Sequence, residues 1–495
     1  MKIYYTWLLA SAALLPPTSA LSVDKRAALD DCLASHKVPV YAKNTANYTQ
    51  AVKPFNLRLP FTPAAYAVPT TIKNVQDAVS CGAASGIRVT PKCGGHSYAS
   101  FGLGGEDGHL VVDMRRFNSV TVDAAAHTAV IGSGGRLGNI ALALYSQGKQ
   151  AISHGTCPGV GISGLTLGGG YGLSSRMHGL TLDQLISMTV VLANSSVVTA
   201  SETENPDLFW ALRGGSGSLG IVTDFKFKTF TPSEEIINFS YNLPIQNTTQ
   251  VASMLAVLQN FTLHDQPREL NMRTFFPKQL TGVYYGSRAN YDAVMNPLLG
   301  KLNVPTSGKD ATVSTKGWID TLTAFAFGSL AQPEIYDNHE TFFAKSLMTP
   351  ALSAEAHSAI ADYYFSTARN VNNRVWYLLI DLHGGAKSAI TDVSVNATAY
   401  AHRDKLFKMQ FYDSMFGNFG SYQSEWFSFL NGWVSAIQKA SPKEQFGMYI
   451  NYADSSLSKD EAHQRYWGPN YERLLKVKTA YDPNKLFEGP QLVGS

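Results

Sequence analysis

The sequence predicts an α+β protein with two domains, and three observations support this. Residues 59–230 alternate strand-like and short helical segments with glycine-rich loops. Near Thr231-Pro232 glycine becomes rarer, and long amphipathic segments appear with strand candidates between them. The chain has 495 residues, enough for two or more domains at roughly 100–200 residues each. We expect a first domain over residues 21–230, a second over residues 231–440, and a C-terminal segment over residues 441–495.

The first domain is predicted to consist of strands and short helices connected by glycine loops. Residues 189–192 and 196–198 flank Ala193-Asn194-Ser195, which predicts a hairpin. Residues 137–147 have helical spacing, and Asn205-Pro206-Asp207 should begin a second helix, because Asn is a favourable N-cap and Pro fits the first helical position. The other strand candidates are residues 87–90, 109–113, 120–122, 128–131 and 221–227.

The rest of the chain is predicted to contain longer helices. Residues 251–263 and 351–364 have amphipathic spacing, and residues 376–381 form an apolar strand candidate between segments of this kind. A last helical stretch, residues 458–481, precedes Asp482-Pro483. No internal repeat or low-complexity tract interrupts this pattern.

Composition and motifs exclude several classes of function. The net charge of +3 is too small to indicate a nucleic-acid partner, and no basic run is interleaved with aromatic residues. Residues 215–220 match GxGxxG, but a helix precedes them and a strand follows, which is the reverse of a Rossmann site. Walker, HExxH, CxxC and GxSxG motifs are missing, so the sequence predicts neither a metal site nor a common hydrolase.

The N-terminus is typical of a signal peptide over residues 1–20. Lys2 provides the positive end, residues 7–15 are apolar, and Thr18-Ser19-Ala20 is a small-residue cleavage site. This segment is too short to span a bilayer, and no later stretch is long enough, so we expect a secreted protein without a membrane anchor. Asn-X-Ser/Thr sequons predict glycosylation at Asn47, Asn194, Asn238, Asn247, Asn260 and Asn396.

Two reactive side chains stand in unusually glycine-rich loops. His96 lies in residues 91–98 and Cys157 in residues 153–161, and a third glycine loop spans residues 168–172. Two nucleophiles held by bare backbone indicate a planar ligand attached at two points, and glycines let backbone N–H groups approach a phosphate. FAD fits both requirements. The residues expected to bind it are Lys92, Gly94, Gly95, His96, Ser97, Cys157, Gly159, Gly161, Gly169, Gly170 and Gly172.

These loops, with residues 205–215, residues 451–454 and Asp482-Pro483, resemble the berberine-bridge-type FAD-linked oxidases, and the fungal oligosaccharide oxidases among them. The resemblance implies a p-cresol methylhydroxylase-type FAD domain with its core at about residues 59–230. It also implies an α+β substrate domain, with an antiparallel sheet flanked by helices, and a C-terminal segment that returns to the FAD domain. His96 would link to the flavin 8α-methyl group and Cys157 to ring carbon 6.

Four cysteines allow three pairings into two disulfides. If Cys157 holds the cofactor, Cys32 and Cys81 are the expected pair, and Cys93 stays free.

The resemblance also assigns the catalytic residues. Tyr452 occupies the position of the base that accepts a hydroxyl proton, and Asp381 the position of its carboxylate partner. The residues that match the family's sugar site are Tyr98, Tyr377, Gln410 and Tyr449. This chain departs from the pattern at Ser163, Leu165, Leu379 and Phe275; the last two replace expected polar groups.

The implied function is oxidation of the C1 hydroxyl of reducing-end oligosaccharides to the lactone, with O₂ reduced to H₂O₂. The expected partners are this substrate and O₂, and the protein is expected to be a monomer. Leu379 and Phe275 favour an alternative, an FAD-linked oxidase of secondary metabolism that acts on a non-sugar alcohol or C–H bond. A third possibility is an inactive secreted sugar-binding glycoprotein, against which the intact His96, Cys157, Tyr452 and Asp381 argue.

Overall fold

Three β-sheets organise the chain in the computed structural model, which describes residues 23–418 and 420–495. The predicted signal peptide, residues 1–20, lies outside the described residues. Helices combined with mainly antiparallel sheets confirm the α+β class. Within the described ranges no helix has the length and apolar character needed to cross a bilayer.

The first part of the chain contains two of the sheets. A three-stranded parallel sheet has the order β1-β3-β2, and a five-stranded antiparallel sheet has the order β4-β5-β8-β6-β7. The elements are α1 (Val23–Ser35), α2 (Ala46–Val52), β1 (Ala65–Ala67), α3 (Ile72–Ala84), β2 (Val89–Lys92), β3 (Leu110–Asp113), β4 (Val120–Asp123), β5 (Thr128–Gly132), α4 (Leu137–Gly148), α5 (Ile162–Leu167), α6 (Ser175–His178), β6 (Leu185–Val191), β7 (Val197–Ser201), α7 (Pro206–Leu212) and β8 (Ile221–Lys228).

The predicted elements of this part are present, with two differences. The hairpin is confirmed as β6 and β7, which pair antiparallel. The strand predicted at residues 87–90 begins two residues later, at Val89. Asn205 precedes α7 but does not cap it: its φ is 50°, and its side-chain amide donates to the Thr199 carbonyl at 2.8 Å. The predicted capping role is therefore wrong, because this amide instead ties the start of α7 to β7.

The second part is built on a seven-stranded antiparallel sheet of order β12-β9-β11-β10-β14-β15-β13. Helices α8, α11 and α12 cover one face, where Leu255, Ile360 and Trp433 share an apolar core with Leu378. The elements are β9 (Ile236–Asn242), α8 (Thr248–His264), β10 (Leu270–Phe275), β11 (Gln279–Tyr285), α9 (Arg288–Lys301), β12 (Ala311–Lys316), α10 (Trp318–Ala326), β13 (Phe342–Thr349), α11 (Ala354–Ser366), β14 (Val375–Leu382), β15 (Phe407–Ser414) and α12 (Phe427–Ala440).

The C-terminal residues pack back onto the first part of the chain. The helical stretch predicted at residues 458–481 is two helices, α13 (Lys459–Trp467) and α14 (Tyr471–Tyr481). Gly468, with a φ of 44°, and Pro469 separate them. Trp467 lies in the same core as Phe225, and its indole N–H donates to the Gly214 carbonyl at 2.9 Å.

Arg176 fastens α6 to the seven-stranded sheet. Its side chain is fully buried and donates to backbone carbonyls at the ends of β10 and β14, including those of Leu270 (3.0 Å) and Leu382 (3.3 Å). Burial lowers the pKa of its guanidinium to about 10, and hydrogen bonds to carbonyls satisfy the N–H groups that burial takes from water. Arg176 therefore links α6, in the first part of the chain, to β10 and β14 of the seven-stranded sheet.

Cys32 and Cys81 form a disulfide that joins α1 to α3, which confirms the expected pair. Cys93 and Cys157 are free cysteines. One sequon prediction is wrong: Asn238 is buried in β9 and its amide donates to the Thr321 hydroxyl at 2.8 Å, so this fold cannot accommodate a glycan on that nitrogen. The other five sequon asparagines are exposed, and their occupancy stays a prediction.

Candidate active site

The first two glycine loops touch each other. A Cβ atom on Gly94 would lie 2.4 Å from the backbone nitrogen of Gly161, so only glycine permits this approach. The Arg136 guanidinium donates to the carbonyls of Gly94 (3.0 Å) and Gly159. The partly buried Arg136 side chain therefore links the two loops. Ser97 supports the first loop, since its hydroxyl accepts a hydrogen bond from the backbone N–H of Phe101.

His96 and Cys157 meet where the loops converge. The His96 Nε2 and Cys157 Sγ atoms are 3.7 Å apart. The His96 imidazole stacks on Phe55, with ring centroids 3.7 Å apart, and Tyr336 covers it from another side at 5.8 Å. Desolvation and the nearby Arg136 charge lower the pKa of His96 to about 3, so the imidazole is neutral at physiological pH. A neutral imidazole keeps a ring nitrogen available as a nucleophile.

The third glycine loop directs its backbone N–H groups at protein atoms, whereas the sequence analysis expected them at a cofactor phosphate: Gly170 donates to the Tyr449 hydroxyl at 3.0 Å and Gly172 to the Ser175 hydroxyl at 2.9 Å. A Cβ atom on Gly170 would lie 2.1 Å from the Thr181 hydroxyl, and one on Gly172 would lie 1.6 Å from the His154 carbonyl oxygen. A Cβ atom on Gly169 would lie 3.0 Å from the rings of Tyr400 and Tyr449. These glycines allow close packing of chain against chain, and the predicted phosphate contact is corrected accordingly.

Tyr449 also has a different role from the predicted one. Its hydroxyl accepts hydrogen bonds from the backbone N–H groups of Gly170 (3.0 Å) and Tyr171 (3.2 Å), and from the Asn451 amide. The side chain is buried, and its polar atom is fully engaged in this turn. Tyr449 therefore holds the third glycine loop in place, and its hydroxyl does not face a substrate.

Lys92 is a second correction among the predicted cofactor ligands. Its ammonium is buried and donates to the Ala51 carbonyl (2.7 Å) and the Tyr66 hydroxyl (2.8 Å). Burial lowers its pKa to about 8. Because its N–H donors are directed at these groups, Lys92 fixes the start of the His96 loop and does not act as the predicted cofactor ligand.

A basic cavity of about 170 Å³ adjoins the His96 loop. Cys93 and Gly135 line it, together with the guanidinium-bearing side chains Arg115 and Arg136. Arg115 donates to Asp113, and that carboxylate raises the pKa of Arg115 above its ordinary value despite partial burial. Positive charge in a concave site suits a phosphate-containing ligand.

Strand register places three charged residues side by side in the seven-stranded sheet. Arg273 on β10 lies opposite Asp381 on β14, and Asp381 lies opposite Lys408 on β15. Lys408 Nζ is 2.5 Å from one carboxylate oxygen of Asp381, and Arg273 Nε is 2.8 Å from the other. Burial alone would raise the pKa of Asp381, but the two cations hold it below its ordinary value. Asp381 is therefore an ionised carboxylate between two cations.

Lys408, and not Asp381, is the ionic neighbour of Tyr452. Its Nζ lies 3.5 Å from the Tyr452 hydroxyl oxygen and 4.6 Å from the centroids of the Tyr452 and Tyr171 rings. Burial alone would lower the pKa of Lys408, but Asp381 raises it above its ordinary value. The predicted direct Tyr452–Asp381 partnership is corrected: Asp381 acts on Tyr452 through Lys408.

The structure brings three predicted sugar-site residues together. Gln410 donates to the hydroxyls of Tyr98 (2.9 Å) and Tyr377 (3.3 Å). The Tyr98 ring stacks with Tyr452, with centroids 5.7 Å apart. Tyr98 follows His96 by two residues, so its ring connects the loop of the reactive histidine with the candidate base.

Sequence reasoning missed Lys408, Arg273, Arg136 and Tyr171. A signal existed for Lys408, because it stands in the apolar strand sequence Leu406-Phe407-Lys408-Met409-Gln410-Phe411, where a buried lysine needs a special reason. Arg136, in a glycine-rich turn before a helix, carried no such signal. Glu340 was missed as well; it accepts a hydrogen bond from the Tyr412 hydroxyl at 2.6 Å beside this group.

Comparison with known proteins identifies the family. A model of FAD-binding domains matches residues 63–201, and a model of berberine and berberine-like proteins matches residues 448–494. A xylooligosaccharide oxidase of Thermothelomyces thermophilus is 46% identical over 95% of this chain and 95% of its own length. The chain belongs to the berberine-bridge-type FAD-linked oxidases.

Solved structures of berberine-bridge-type oxidases share this fold almost throughout. A xylooligosaccharide oxidase from Myceliophthora thermophila, in complex with xylobiose, has a TM-score of 0.90 and 45% identity, covering 94% of this chain and 99% of that chain. A glucooligosaccharide oxidase from Acremonium strictum, with a 6-S-cysteinyl, 8α-N1-histidyl FAD, has a TM-score of 0.89 and 40% identity, covering 94% and 99%. The predicted p-cresol methylhydroxylase-type FAD domain is confirmed.

This berberine-bridge-type chain is an FAD-linked oxidoreductase, and its own residues fit FAD. A neutral imidazole and a thiol converge within 3.7 Å, which suits attachment to two positions of one ring system. Arg115 and Arg136 line the adjoining cavity, where they could hold a pyrophosphate. His96, Cys157 and these two arginines are therefore the residues that would hold the cofactor.

Proposed function

We propose that the protein is a secreted carbohydrate oxidase that converts the C1 hydroxyl of reducing-end oligosaccharides to the lactone and reduces O₂ to H₂O₂. Its named relatives at 40–46% identity include xylo-, gluco- and chitooligosaccharide oxidases. The observation that carries the proposal is the Tyr98 ring, which stacks on Tyr452 and shares Gln410 with Tyr377. It joins the cofactor loop, the candidate base and two side chains able to bind hydroxyls in one cluster.

The proton of the substrate hydroxyl would go to the Tyr452 hydroxyl oxygen. Tyr452 can accept it only as a phenolate, and Lys408 supplies the cation, 3.5 Å away, that stabilises this form. Asp381 keeps Lys408 protonated, because its carboxylate lies 2.5 Å from the ammonium and raises the pKa of Lys408. Bound FAD would supply the acceptor for the hydride that leaves C1.

Sugar binding in this cleft follows from the chemistry of its side chains. Aromatic faces suit the C–H surfaces of a pyranose, and Gln410 and Glu340 provide hydrogen-bonding groups for its hydroxyls. Tyr98 and Tyr377 have pKa values well above the ordinary range because both are desolvated. They remain neutral at physiological pH and can therefore donate hydrogen bonds to a saccharide.

The FAD linkage at two points is part of the proposal. The Acremonium strictum structure combines a 6-S-cysteinyl and an 8α-N1-histidyl bond, and the side chains of the same types converge in this chain. We assign the 8α bond to His96 and the bond to ring carbon 6 to Cys157. Both residues lie on loops held together by Arg136, which keeps the two attachment points at a constant separation.

The linkage predicts how single and double variants retain flavin. His96→Ala and Cys157→Ala should each keep yellow flavin on the chain after acid precipitation, because one covalent bond remains. The double variant should release all its flavin under the same treatment. Absorbance of the washed precipitate, redissolved in denaturant, measures this, with Cys93→Ala as the matched cysteine control that keeps both bonds. Complete flavin release from either single variant would show that attachment is at one point.

A second candidate function is oxidation of a less polar alcohol. Phe275 lies opposite Leu379 in the sheet register, and the Phe275 ring meets Tyr377 edge-on at 6.5 Å. Together they form an apolar strip beside Gln410, which pairs with Leu379 on the other side. Fewer hydrogen-bonding groups weaken selection for a hydroxyl-rich ring. This strip is the specific observation that favours an apolar substrate.

Export of the protein is the remaining part of the proposal. The signal-like N-terminus, the Cys32–Cys81 disulfide and five exposed sequons support it. A disulfide of this kind is stable in an oxidising compartment.

A substrate panel tests the proposed function. The purified holoenzyme would be incubated with xylo-, gluco- and chitooligosaccharides and with apolar primary and benzylic alcohols, and peroxide release measured. We expect turnover on at least one oligosaccharide series, with the aldonic acid as the final product. Peroxide from the alcohols alone would establish the second candidate, and no peroxide from any saccharide would refute the first.

A further inference from the structure

An irregular segment between α10 and β13 connects the second part of the chain with the cofactor loops. It comprises residues 331–340 and is called the covering segment below. Gln332 exchanges two hydrogen bonds with Asn139 of α4: its backbone N–H donates at 2.8 Å, and its carbonyl accepts at 3.0 Å. Farther along, Asp337 pairs with Lys53 at 3.0 Å. These contacts fasten the covering segment to the first part of the chain at two points.

Tyr336 is the residue of the covering segment that meets His96. Its hydroxyl oxygen lies 3.4 Å from His96 Nε2. A Cβ atom on Gly159 would lie 2.3 Å from the Tyr336 ring, so only glycine permits this approach. The Arg136 guanidinium lies 4.4 Å from the ring centroid, a cation–π contact that favours this ring position. The Asn338 amide donates to the Tyr336 hydroxyl at 3.4 Å. The hydroxyl is therefore held in place by groups other than His96.

The polar contacts of the His96 imidazole fall on one of its two nitrogens. Within the described ranges, the polar side chains recorded against the ring are Tyr336 and Cys157, and both approach Nε2. Phe55 stacks on the ring and fixes its plane. A neutral imidazole carries a proton on one nitrogen and a lone pair on the other, and the hydrogen bond of one nitrogen decides between them. A proton held at Nε2 leaves the lone pair on Nδ1.

We propose that the Tyr336 hydroxyl selects the nitrogen of His96 that attaches to the flavin: it accepts a hydrogen bond from Nε2–H and leaves Nδ1 as the nucleophile. The inference rests on the proposed function, since it requires the bond between His96 and the flavin 8α carbon. In the Acremonium strictum glucooligosaccharide oxidase that bond is 8α-N1-histidyl, and N1 is the nitrogen also called Nδ1. Tyr336 is thus a positioning residue, which acts on the cofactor through His96.

The same hydrogen bond assists the attachment step. Formation of the bond between Nδ1 and the 8α carbon breaks one C–H bond of the methyl group and finally the Nε2–H bond. Two protons are released, the electron pair passes to the flavin ring, and O₂ removes it as H₂O₂. Because Nε2 still carries its proton while the new bond forms, positive charge develops on the imidazole. Hydrogen bonds from a charged donor are stronger than neutral ones, so the Tyr336 oxygen stabilises this state.

Tyr336→Phe should slow attachment through His96 and leave attachment through Cys157 unchanged. The substitution removes the hydroxyl and keeps the ring that contacts Gly159 and Arg136. Loss of a hydrogen bond to a charged group lowers a rate by about 10–100-fold. The total flavin bound by the native protein should not change, since the ring remains in place.

The test measures the initial rate of covalent attachment in two backgrounds. In Cys157→Ala only the His96 bond can form, and in His96→Ala only the Cys157 bond. Full-length protein is harvested at successive times after induction in flavin-replete medium, and the flavin that stays on the chain after acid precipitation is divided by the amount of chain. Tyr145→Phe in the Cys157→Ala background is the matched control, because the Tyr145 hydroxyl donates to Glu234. Its rate should equal that of Cys157→Ala.

The pattern across the two backgrounds decides the result. Slower attachment with Tyr336→Phe in the Cys157→Ala background alone, at constant total flavin, supports the proposal. Equal rates with and without Tyr336→Phe in that background would overturn it and leave the proposed His96 bond intact. Equal slowing in both backgrounds, or loss of total flavin, would also overturn it, because Tyr336 would then act on flavin binding. If Cys157→Ala itself carries no covalent flavin, the His96 bond is wrong and this inference fails with it.

Discussion

Replacing Tyr452 by phenylalanine is expected to lower kcat by about 10²–10⁴-fold, the usual effect of losing a general base. The substitution removes the oxygen beside Lys408 and keeps the ring that packs against Tyr98 and Tyr449, at 5.7 and 5.1 Å. Flavin content should therefore stay at the wild-type level. Steady-state peroxide release and the visible flavin spectrum, measured on one preparation, separate loss of chemistry from loss of cofactor.

Tyr363→Phe is the matched control for this experiment. Tyr363 lies on α11, on the opposite face of the sheet, where its hydroxyl donates to the Phe429 carbonyl. Loss of that hydroxyl should leave kcat unchanged. A Tyr452→Phe enzyme with near-normal kcat would show that another group takes the proton.

The second large effect is expected from Asp381→Asn. This change leaves two adjacent cations, Arg273 and Lys408, without their shared carboxylate in a mostly buried site. Removing one partner of a buried ion pair costs about 3–5 kcal/mol. We therefore expect the free energy of unfolding at pH 7 to fall by about that amount. Activity should fall too, because Lys408 loses the charge that keeps it protonated. Denaturant unfolding of the flavin-loaded protein measures the first effect.

Two further variants make this result interpretable. Adding Lys408→Met to Asp381→Asn removes one of the unpaired cations and should restore part of the stability. Asp392→Asn breaks the exposed Arg268–Asp392 pair and should cost about 0–1 kcal/mol. If Asp381→Asn were as mild as Asp392→Asn, the carboxylate would not be the counter-ion of both cations.

The pH dependence of the wild type follows from the same carboxylate. Because folding lowers the pKa of Asp381, its ionised form stabilises the folded state. This contribution is complete above the ordinary carboxyl pKa of about 3.9, and it is lost as the pH falls through the lower pKa of the folded protein. The Asp381→Asn variant should lack this component of acid destabilisation.

The sequence alone determined the residues whose roles depend on local chain geometry. His96 and Tyr98 share one loop, and the glycines before His96 and on both sides of Cys157 indicate close approach of backbone to backbone or ligand. The strand and helix positions followed from hydrophobic spacing, with boundaries within a few residues, because these patterns depend on neighbours in the chain. The pairing of Cys32 with Cys81 was expected on a different ground, the assignment of Cys157 to the cofactor, and the structure confirms it.

Only the tertiary structure decided which partners these residues have. Glycine permits close approach equally to a phosphate and to protein. The sequence therefore could not show that the backbone of residues 168–172 donates to the Tyr449 hydroxyl. Lys408 meets Asp381 because two strands 27 residues apart pair in one register, and Arg273 joins them from a third strand. Sheet register is set by long-range packing and not by local sequence. For that reason the cofactor loops and Tyr452 could be predicted from the sequence and its family resemblance. Lys408, the cation beside Tyr452, could be identified only in the folded protein.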